Sequence, residues 1–150
     1  MTNTNPSEHS FLFERTSNPD ETTQTFLWNQ LKDYSRSKIG RADHESSDFF
    51  SIILREGEKI IAGALCYSYF KAVNLQLLWV DESKRGQKIG SLLLSKIEEE
   101  ANQLDANLIF LYSFEFQAPK FYLKFGYKQF GMIEQFPEGY NCYFLQKRLR

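Results

Sequence analysis

Apolar and polar positions alternate through the middle of the chain in a pattern that predicts a β-sheet. Residues 48–80 are rich in β-branched and aromatic side chains, and residues 56–59 interrupt them with a tight turn around Gly57. We therefore predict three successive antiparallel strands, at about residues 48–55, 58–69 and 72–80.

Helical spacing of apolar residues appears on both sides of these strands. Upstream, residues 18–40 predict a helix with Asn18 or Asp20 as its N-cap and Gly40 as its stop. Its apolar face is formed by Phe26, Leu27, Leu31 and Tyr34. Downstream, a second amphipathic helix is predicted to pack on the sheet. Its apolar positions are Ile89, Leu92, Leu93, Ile97, Ala101 and Leu104.

The remaining elements complete a mixed sheet. A short first strand is predicted at residues 11–13, and the apolar run from Leu108 suits a strand that follows a crossover to a parallel neighbour. Pro119 begins a short helix, Gly126 stops it, and two further strands follow. The order β, α, β, β, β, α, β, α, β, β predicts an α/β (α+β) fold with a mixed sheet and helices on its faces.

Length and composition indicate one globular domain over residues 1–150, with residues 1–9 expected to be flexible. The net charge of -1 and the pI of about 6.1 argue against bulk attraction to nucleic acid or to an acidic membrane surface. The start has no leader pattern, and no eighteen apolar residues run together, so we expect a cytoplasmic protein. Cys66 and Cys142 are expected to be buried free thiols, and no metal-ligand spacing surrounds them.

A basic glycine loop precedes the second helix. Because the first backbone N–H groups of a helix lack partners within it, a pyrophosphate would suit the position where Gly86 and Gly90 expose the backbone. Lys84, Arg85 and Lys88 add positive charge there. The alternative is that the glycines only shape a turn and the cations are solvated. No P-loop or three-glycine dinucleotide motif is present.

Two motifs together resemble the GNAT superfamily of acyl-CoA-dependent N-acetyltransferases. Residues 85–90 occupy the family's Arg/Gln-x-x-Gly-x-Gly/Ala loop, which binds the coenzyme A pyrophosphate, and residues 118–127 match the second signature, AxxFYxKxGY. The resemblance spans about residues 73–149. Two departures occur: Lys88 replaces a motif glycine, and Glu115 replaces a frequent asparagine. Binding at Lys88 is expected to survive if its backbone angles are helical.

The resemblance implies a central, mostly antiparallel sheet whose parallel pair splays at the coenzyme A site. It also implies direct transfer of an acetyl group from acetyl-CoA to a primary amine, with no metal. The implied cofactor-binding residues are Leu78, Trp79, Val80, Arg85, Gly86, Gln87, Lys88, Ile89, Gly90, Ser91, Pro119 and Tyr122. Backbone N–H groups of residues 78–80 would polarise the carbonyl.

Catalytic tasks are assigned from the same resemblance and from side-chain chemistry. Tyr122 is predicted to be the acid that protonates the departing thiolate. Gln76 stands where some relatives carry a glutamate, so Glu115 is the leading candidate base, with Asp81 and Glu82 behind it. Water relays would make all three carboxylates dispensable.

The acceptor is predicted to be a small-molecule amine, because no extended acidic run is present to attract a basic peptide. An aromatic cleft suited to a cation is predicted from Phe49, Tyr67, Tyr69, Trp79, Phe114, Phe116 and Tyr140.

His44 is interpreted as a solvated loop residue. Strand edges allow a homodimer. Two alternatives stay open: a coenzyme A-binding regulatory or interaction module of the same fold, and an RNA-contacting module that uses the basic C-terminal residues.

Overall fold

The computed structural model describes residues 12–39 and 47–150. The chain forms two compact units, residues 1–40 and 41–150, and the prediction of a single domain stays a prediction. Leu12 and Phe13 do not form the predicted first strand. The predicted helix stop at Gly40 and the loop residue His44 lie outside the described residues, as does Phe11.

The first unit contains helix α1, Glu21–Ile39. Its N-cap is Asp20, the second of the two predicted candidates. The Asp20 carboxylate accepts hydrogen bonds from the Thr23 backbone N–H at 2.9 Å and from the Thr23 hydroxyl at 2.7 Å. These bonds lower the pKa of Asp20, and they satisfy an N–H group that the helix itself cannot pair.

The second unit is built on a six-stranded sheet, and the predicted mixed α/β fold is confirmed. Its strands are β1 Asp48–Glu56, β2 Lys59–Tyr69, β3 Ala72–Val80, β4 Leu108–Phe114, β5 Lys128–Ile133 and β6 Cys142–Arg148. The spatial order is β1-β2-β3-β4-β6-β5. Only β3 and β4 pair in parallel, as predicted for the crossover, and the other neighbours are antiparallel.

Two helices of this unit, α2 (Ile89–Gln103) and α3 (Pro119–Leu123), pack on one face of the sheet. The face of α2 differs slightly from the prediction. Leu93, Ile97 and Ala101 are buried as expected, but Leu92 is 53% exposed and Leu94 is buried in its place. The buried face of the helix is therefore centred between Leu93 and Leu94. Because residues 92–94 are all leucines, the sequence does not show which of them faces the sheet.

The centre of the sheet is opened by a β-bulge in β3 and by the separation of β3 from β4. In the β2–β3 ladder, Leu65 pairs with Leu77 and Cys66 pairs with Leu75, so Gln76 is an extra residue on β3. The parallel ladder between β3 and β4 holds only for the first three residues of each strand. Beyond it the two strands separate, and the edge of β3 that faces β4 is left without a ladder partner.

Candidate active site

A cleft of about 900 Å³ lies where β3 and β4 separate. It is bounded by the second half of β3, the loop and first turn of α2, the end of β4 and helix α3. Its lining residues are Leu75, Gln76, Leu77, Leu78, Trp79, Val80, Lys84, Arg85, Gly86, Lys88, Ile89, Gly90, Ser91, Tyr112, Ser113, Phe114, Phe116, Gln117, Ala118, Phe121 and Tyr122. Both predicted motifs therefore contribute to one cleft, although they lie far apart in the sequence.

The loop between β3 and α2 is fixed at its start by Asp81. Its carboxylate accepts hydrogen bonds from the Ser83 backbone N–H at 3.0 Å and from the Ser83 hydroxyl at 2.6 Å, and it forms an ion pair with Lys59 at 2.9 Å. These contacts, with the Ser83 bond first, lower the pKa of Asp81 to about 2. A carboxylate that holds its charge so strongly is a poor proton acceptor, so Asp81 serves the loop's structure.

The first turn of α2 presents free backbone donors to the cleft. The helix ladder begins with the Leu92 N–H, which donates to the Lys88 carbonyl at 3.0 Å. Within the described part of the chain, the N–H groups of Ile89, Gly90 and Ser91 have no acceptor. Gly90 is also in close contact with α3, because a Cβ placed there would lie 3.4 Å from the Phe121 ring. The backbone of this turn is therefore exposed to an anion at a positive helix end.

Lys88 adopts a backbone conformation that its side chain does not favour. It is the N-cap of α2, with φ 62° and ψ 15°, in the left-handed region. Right-handed helical angles, the condition under which binding at Lys88 was expected to survive, are therefore not met. The local turn still has the geometry that a glycine would supply, and the lysine adopts it at a cost of about 1 to 2 kcal/mol.

Positive charge gathers at the loop end of the cleft. Lys84 is paired with Glu56 on β1 at 2.7 Å, so part of its charge is neutralised. The Arg85 Nε donates to the Val80 carbonyl at 3.3 Å, which holds that side chain against the end of β3. Together with Lys88 these residues supply all the charged side chains among the described residues that line the cleft.

Tyr122 lies in α3, is buried and lines the cleft. Burial raises the pKa of Tyr122 to about 12, and the nearby Cys66 thiol adds to the effect. Its ring packs edge-to-face against Tyr127, with ring centroids 5.7 Å apart. The phenol therefore keeps its proton at neutral pH and can act as a hydrogen-bond donor.

The other predicted site residues are distributed unevenly. Of the predicted cofactor-binding residues, all but Gln87 and Pro119 line the cleft. Glu115 does not line it: one carboxylate oxygen accepts a hydrogen bond from the Asn141 backbone N–H at 3.1 Å, in the segment before β6. Glu82 is exposed and also lies outside the lining. The geometry thus favours a structural task for Glu115, and its role as the base stays an untested prediction.

Several lining residues were missed by the sequence reasoning. Ser113 is buried and its hydroxyl accepts from the Ala118 N–H at 3.4 Å. The Gln117 side-chain carbonyl accepts from the Phe114 N–H at 3.0 Å, which shapes the turn into α3. Only the position of these residues, just before the second signature, could have signalled them. Of the predicted aromatic cleft residues, Trp79, Phe114 and Phe116 line the cleft, and Phe49, Tyr67, Tyr69 and Tyr140 do not.

The described residues show neither a metal cluster nor a membrane span. No group of three or more His, Cys, Asp or Glu side chains among them could hold a metal ion. None of the described helices has the length and apolarity needed to cross a membrane. Both cysteines are free and buried, as predicted.

Known proteins with related sequences and structures are acetyltransferases. Residues 46–129 match the Acetyltransferase (GNAT) domain family. The chain is 30% identical over 95 residues to the Blasticidin-S acetyltransferase of Streptomyces morookaense, a match that covers 63% of this chain and 70% of the relative. A crystal structure of an acetyltransferase from Bacillus cereus ATCC 14579 superimposes with a TM-score of 0.80 and 34% identity, over 91% of this chain and 98% of the other.

A solved structure with lower sequence identity has the same fold. A Bacillus anthracis str. Ames protein, solved in complex with acetyl coenzyme A, has a TM-score of 0.61 and 16% identity over 70% of this chain and 65% of its own. At that identity the likeness concerns the fold alone. The family match, the splayed parallel pair and the free helix N-terminus agree with one another, and this chain belongs to the GNAT acetyltransferase family.

Proposed function

We propose that the protein is an N-acetyltransferase that moves an acetyl group from acetyl-CoA to the amine of a small molecule. One observation carries the proposal: Ile89, Gly90 and Ser91, whose N–H groups are unpaired among the described residues, line the same cleft as the buried Tyr122. An anion site and a proton-bearing group thus open into one cavity. The acetyl-CoA complex of the Bacillus anthracis protein with the same fold supports the choice of cosubstrate.

The residues present fit a coenzyme A thioester. The first turn of α2 would hold the pyrophosphate through its N–H groups, and Arg85 and Lys88 would add charge. The splayed edge of β3 offers unpaired backbone N–H groups around residues 78–80, which would polarise the thioester carbonyl. The thioester would supply an activated acetyl group, and residues of β3 and α3 would hold it in the cleft.

Tyr122 would act as a hydrogen-bond donor toward the departing sulfur. Because burial raises the pKa of Tyr122 to about 12, above that of an ordinary thiol, about 8.5, full transfer of its proton to the thiolate is unfavourable. A hydrogen bond to the developing thiolate avoids that cost and still stabilises the charge. The proton that ends on the thiol then comes from the acceptor nitrogen.

A second candidate function is a coenzyme A-binding module without catalysis, favoured by Gln76 and by the lack of a carboxylate among the described lining residues. The predicted cytoplasmic location and homodimer stay predictions.

Binding and chemistry are tested separately. Acetyl-CoA at about 100 times its Kd should stabilise the fold by about 2.7 kcal/mol, seen as a rise in Tm. Release of free thiol from acetyl-CoA in the presence of an amine then distinguishes an enzyme from a binding module. The buried Cys66, whose pKa burial raises to about 12, should contribute little background to the thiol assay. A chain whose Tm does not respond to acetyl-CoA would contradict both candidates.

A further inference from the structure

The β4 side of the cleft is an aromatic wall, formed by Tyr112, Phe114 and Phe116. Phe114 and Phe116 stack with ring centroids 5.4 Å apart and an interplanar angle of 8°. Tyr112 meets Phe114 edge-to-face at 5.7 Å, and Tyr140 meets Phe116 edge-to-face at 5.1 Å. Phe114 and Phe116 cover one face of each other, and a planar group that enters the cleft can stack on a remaining face of this wall.

The same cleft has no described side chain that can take a proton from an ammonium ion at neutral pH. Its charged lining residues are all cations, at the loop end, and its other polar side chains include the amides Gln76 and Gln117. The Tyr122 phenol is already protonated, and Asp81, Glu82 and Glu115 lie outside the described lining. Unless a chain of water molecules carries the proton to a carboxylate outside the lining, a strongly basic amine would therefore have to lose its proton before it enters.

The cost of removing a proton from the amine can be compared with the gain in binding from contact between an ammonium ion and the aromatic rings. At pH 7 an alkyl amine with a pKa of about 10.4 is neutral in only about 1 molecule in 2,500. Contact between an ammonium ion and a ring face improves binding by a factor of about 2 to 30. This gain in binding applies to the protonated amine, and it is much smaller than the roughly 2,500-fold scarcity of the neutral amine that can react. The cleft thus suits an amine that is already neutral.

We propose that the acceptor is a planar aromatic compound whose weakly basic nitrogen is attached directly to the ring, an arylamine or an amino-heterocycle. The inference rests on the proposed function and names its substrate class. In the step, the neutral nitrogen forms a bond to the thioester carbonyl carbon, and the carbon–sulfur bond breaks. The sulfur leaves with the electron pair, and one proton from the nitrogen ends on the thiol, so no external base is consumed.

Two isomeric probes test the substrate class. 4-Methylaniline and benzylamine have the same atoms and one ring each, but only the first has its nitrogen on the ring. Free-thiol release from acetyl-CoA should give a kcat/KM for 4-methylaniline at pH 7 about tenfold or more above that for benzylamine. Raising the pH to 9 should narrow the gap, because the fraction of neutral benzylamine rises.

The aromatic wall is tested with a matched pair of variants. Phe116→Leu should raise the KM for 4-methylaniline by about two- to tenfold, because a stacking face is lost. Phe130→Leu is the control: Phe130 is 54% exposed against 57% for Phe116, and it packs on Phe144 outside the cleft lining. Its KM should match that of the unaltered protein.

The outcomes separate this inference from the function on which it rests. Equal or faster turnover of benzylamine at pH 7 would overturn the inference and leave the N-acetyltransferase standing. Equal KM changes in Phe116→Leu and Phe130→Leu would also overturn it. If acetyl-CoA raises the Tm and neither probe releases thiol but an alkyl amine such as spermidine does, the aromatic substrate class is wrong and the N-acetyltransferase stands. If no amine releases thiol, the binding module replaces the proposed function. If acetyl-CoA has no effect on the Tm, the proposed function fails first.

Discussion

The ends of β3 and β4 build the two sides of the cleft, and they differ in how their residues work. At the end of β3, the chain presents backbone N–H groups in the first turn of α2, and nearly all the predicted residues between Arg85 and Ser91 line the cleft. At the end of β4, the contribution is made by side chains, and the predicted Glu115 turns instead toward Asn141. The free N–H groups at a helix start can be predicted from the local sequence. The direction of a side chain such as that of Glu115 depends on a partner that is distant in the sequence.

Tyr122 lies where the two sides meet, and its removal should have the largest effect. Tyr122→Phe deletes the hydroxyl of a residue that lines the cleft, so kcat should fall by about 100-fold, since the departing sulfur loses its proposed donor. The rise in Tm with acetyl-CoA should be unchanged, because the α2 turn is intact. Steady-state thiol release and thermal unfolding measure the two quantities.

A neighbouring tyrosine provides the control for that change. Tyr127 packs on Tyr122, but it lies outside the cleft lining. Tyr127→Phe should leave kcat within about twofold. If both variants lose activity equally, the effect belongs to the packing of the aromatic cluster and Tyr122 has no special task. Because burial raises the pKa of Tyr122 to about 12, its protonation should produce no change in rate between about pH 6 and pH 9.

The same contrast explains how much the sequence could predict. Strand and helix periodicity predicted the six strands and three helices described here to within a few residues, and the two motifs predicted which ends would meet. The bulge at Gln76 could not be predicted, because it is a property of the ladder with β2 and leaves no local mark. The left-handed backbone of Lys88 at the start of α2 could not be predicted either, since a lysine gives no indication of it.

A substitution of Lys88 tests the β3 side of the cleft, and its expected effect is smaller than that of Tyr122→Phe. Lys88→Gly relieves a left-handed strain of about 1 to 2 kcal/mol and adds about 0.4 to 1 kcal/mol of chain entropy to the unfolded state. The free energy of unfolding should therefore rise by about 0.5 to 1 kcal/mol, or about 2 °C in Tm. Acetyl-CoA should bind about threefold more weakly, because one cation of the cleft is lost.

Lys88→Ala separates the two consequences of that change. Alanine removes the charge but keeps a Cβ in the left-handed region, so the affinity should fall as in Lys88→Gly without the gain in stability. Denaturant unfolding and acetyl-CoA titration measure the two quantities. A destabilised Lys88→Gly protein would mean that the lysine side chain holds the loop through contacts that outweigh the backbone strain.

The smallest effect is expected at Glu115, where the sequence and the structure assign different tasks. Glu115→Gln removes the charge but keeps a carbonyl oxygen that can accept from the Asn141 N–H, so the turn before β6 should persist. With a weakly basic acceptor, kcat at pH 7 should stay within about twofold and its pH profile should not move. A loss of about 100-fold that is recovered at high pH would instead make Glu115 the base, because an acceptor that needs deprotonation gains from alkali. That result would support the assignment made from the family resemblance and would exclude an acceptor that arrives neutral.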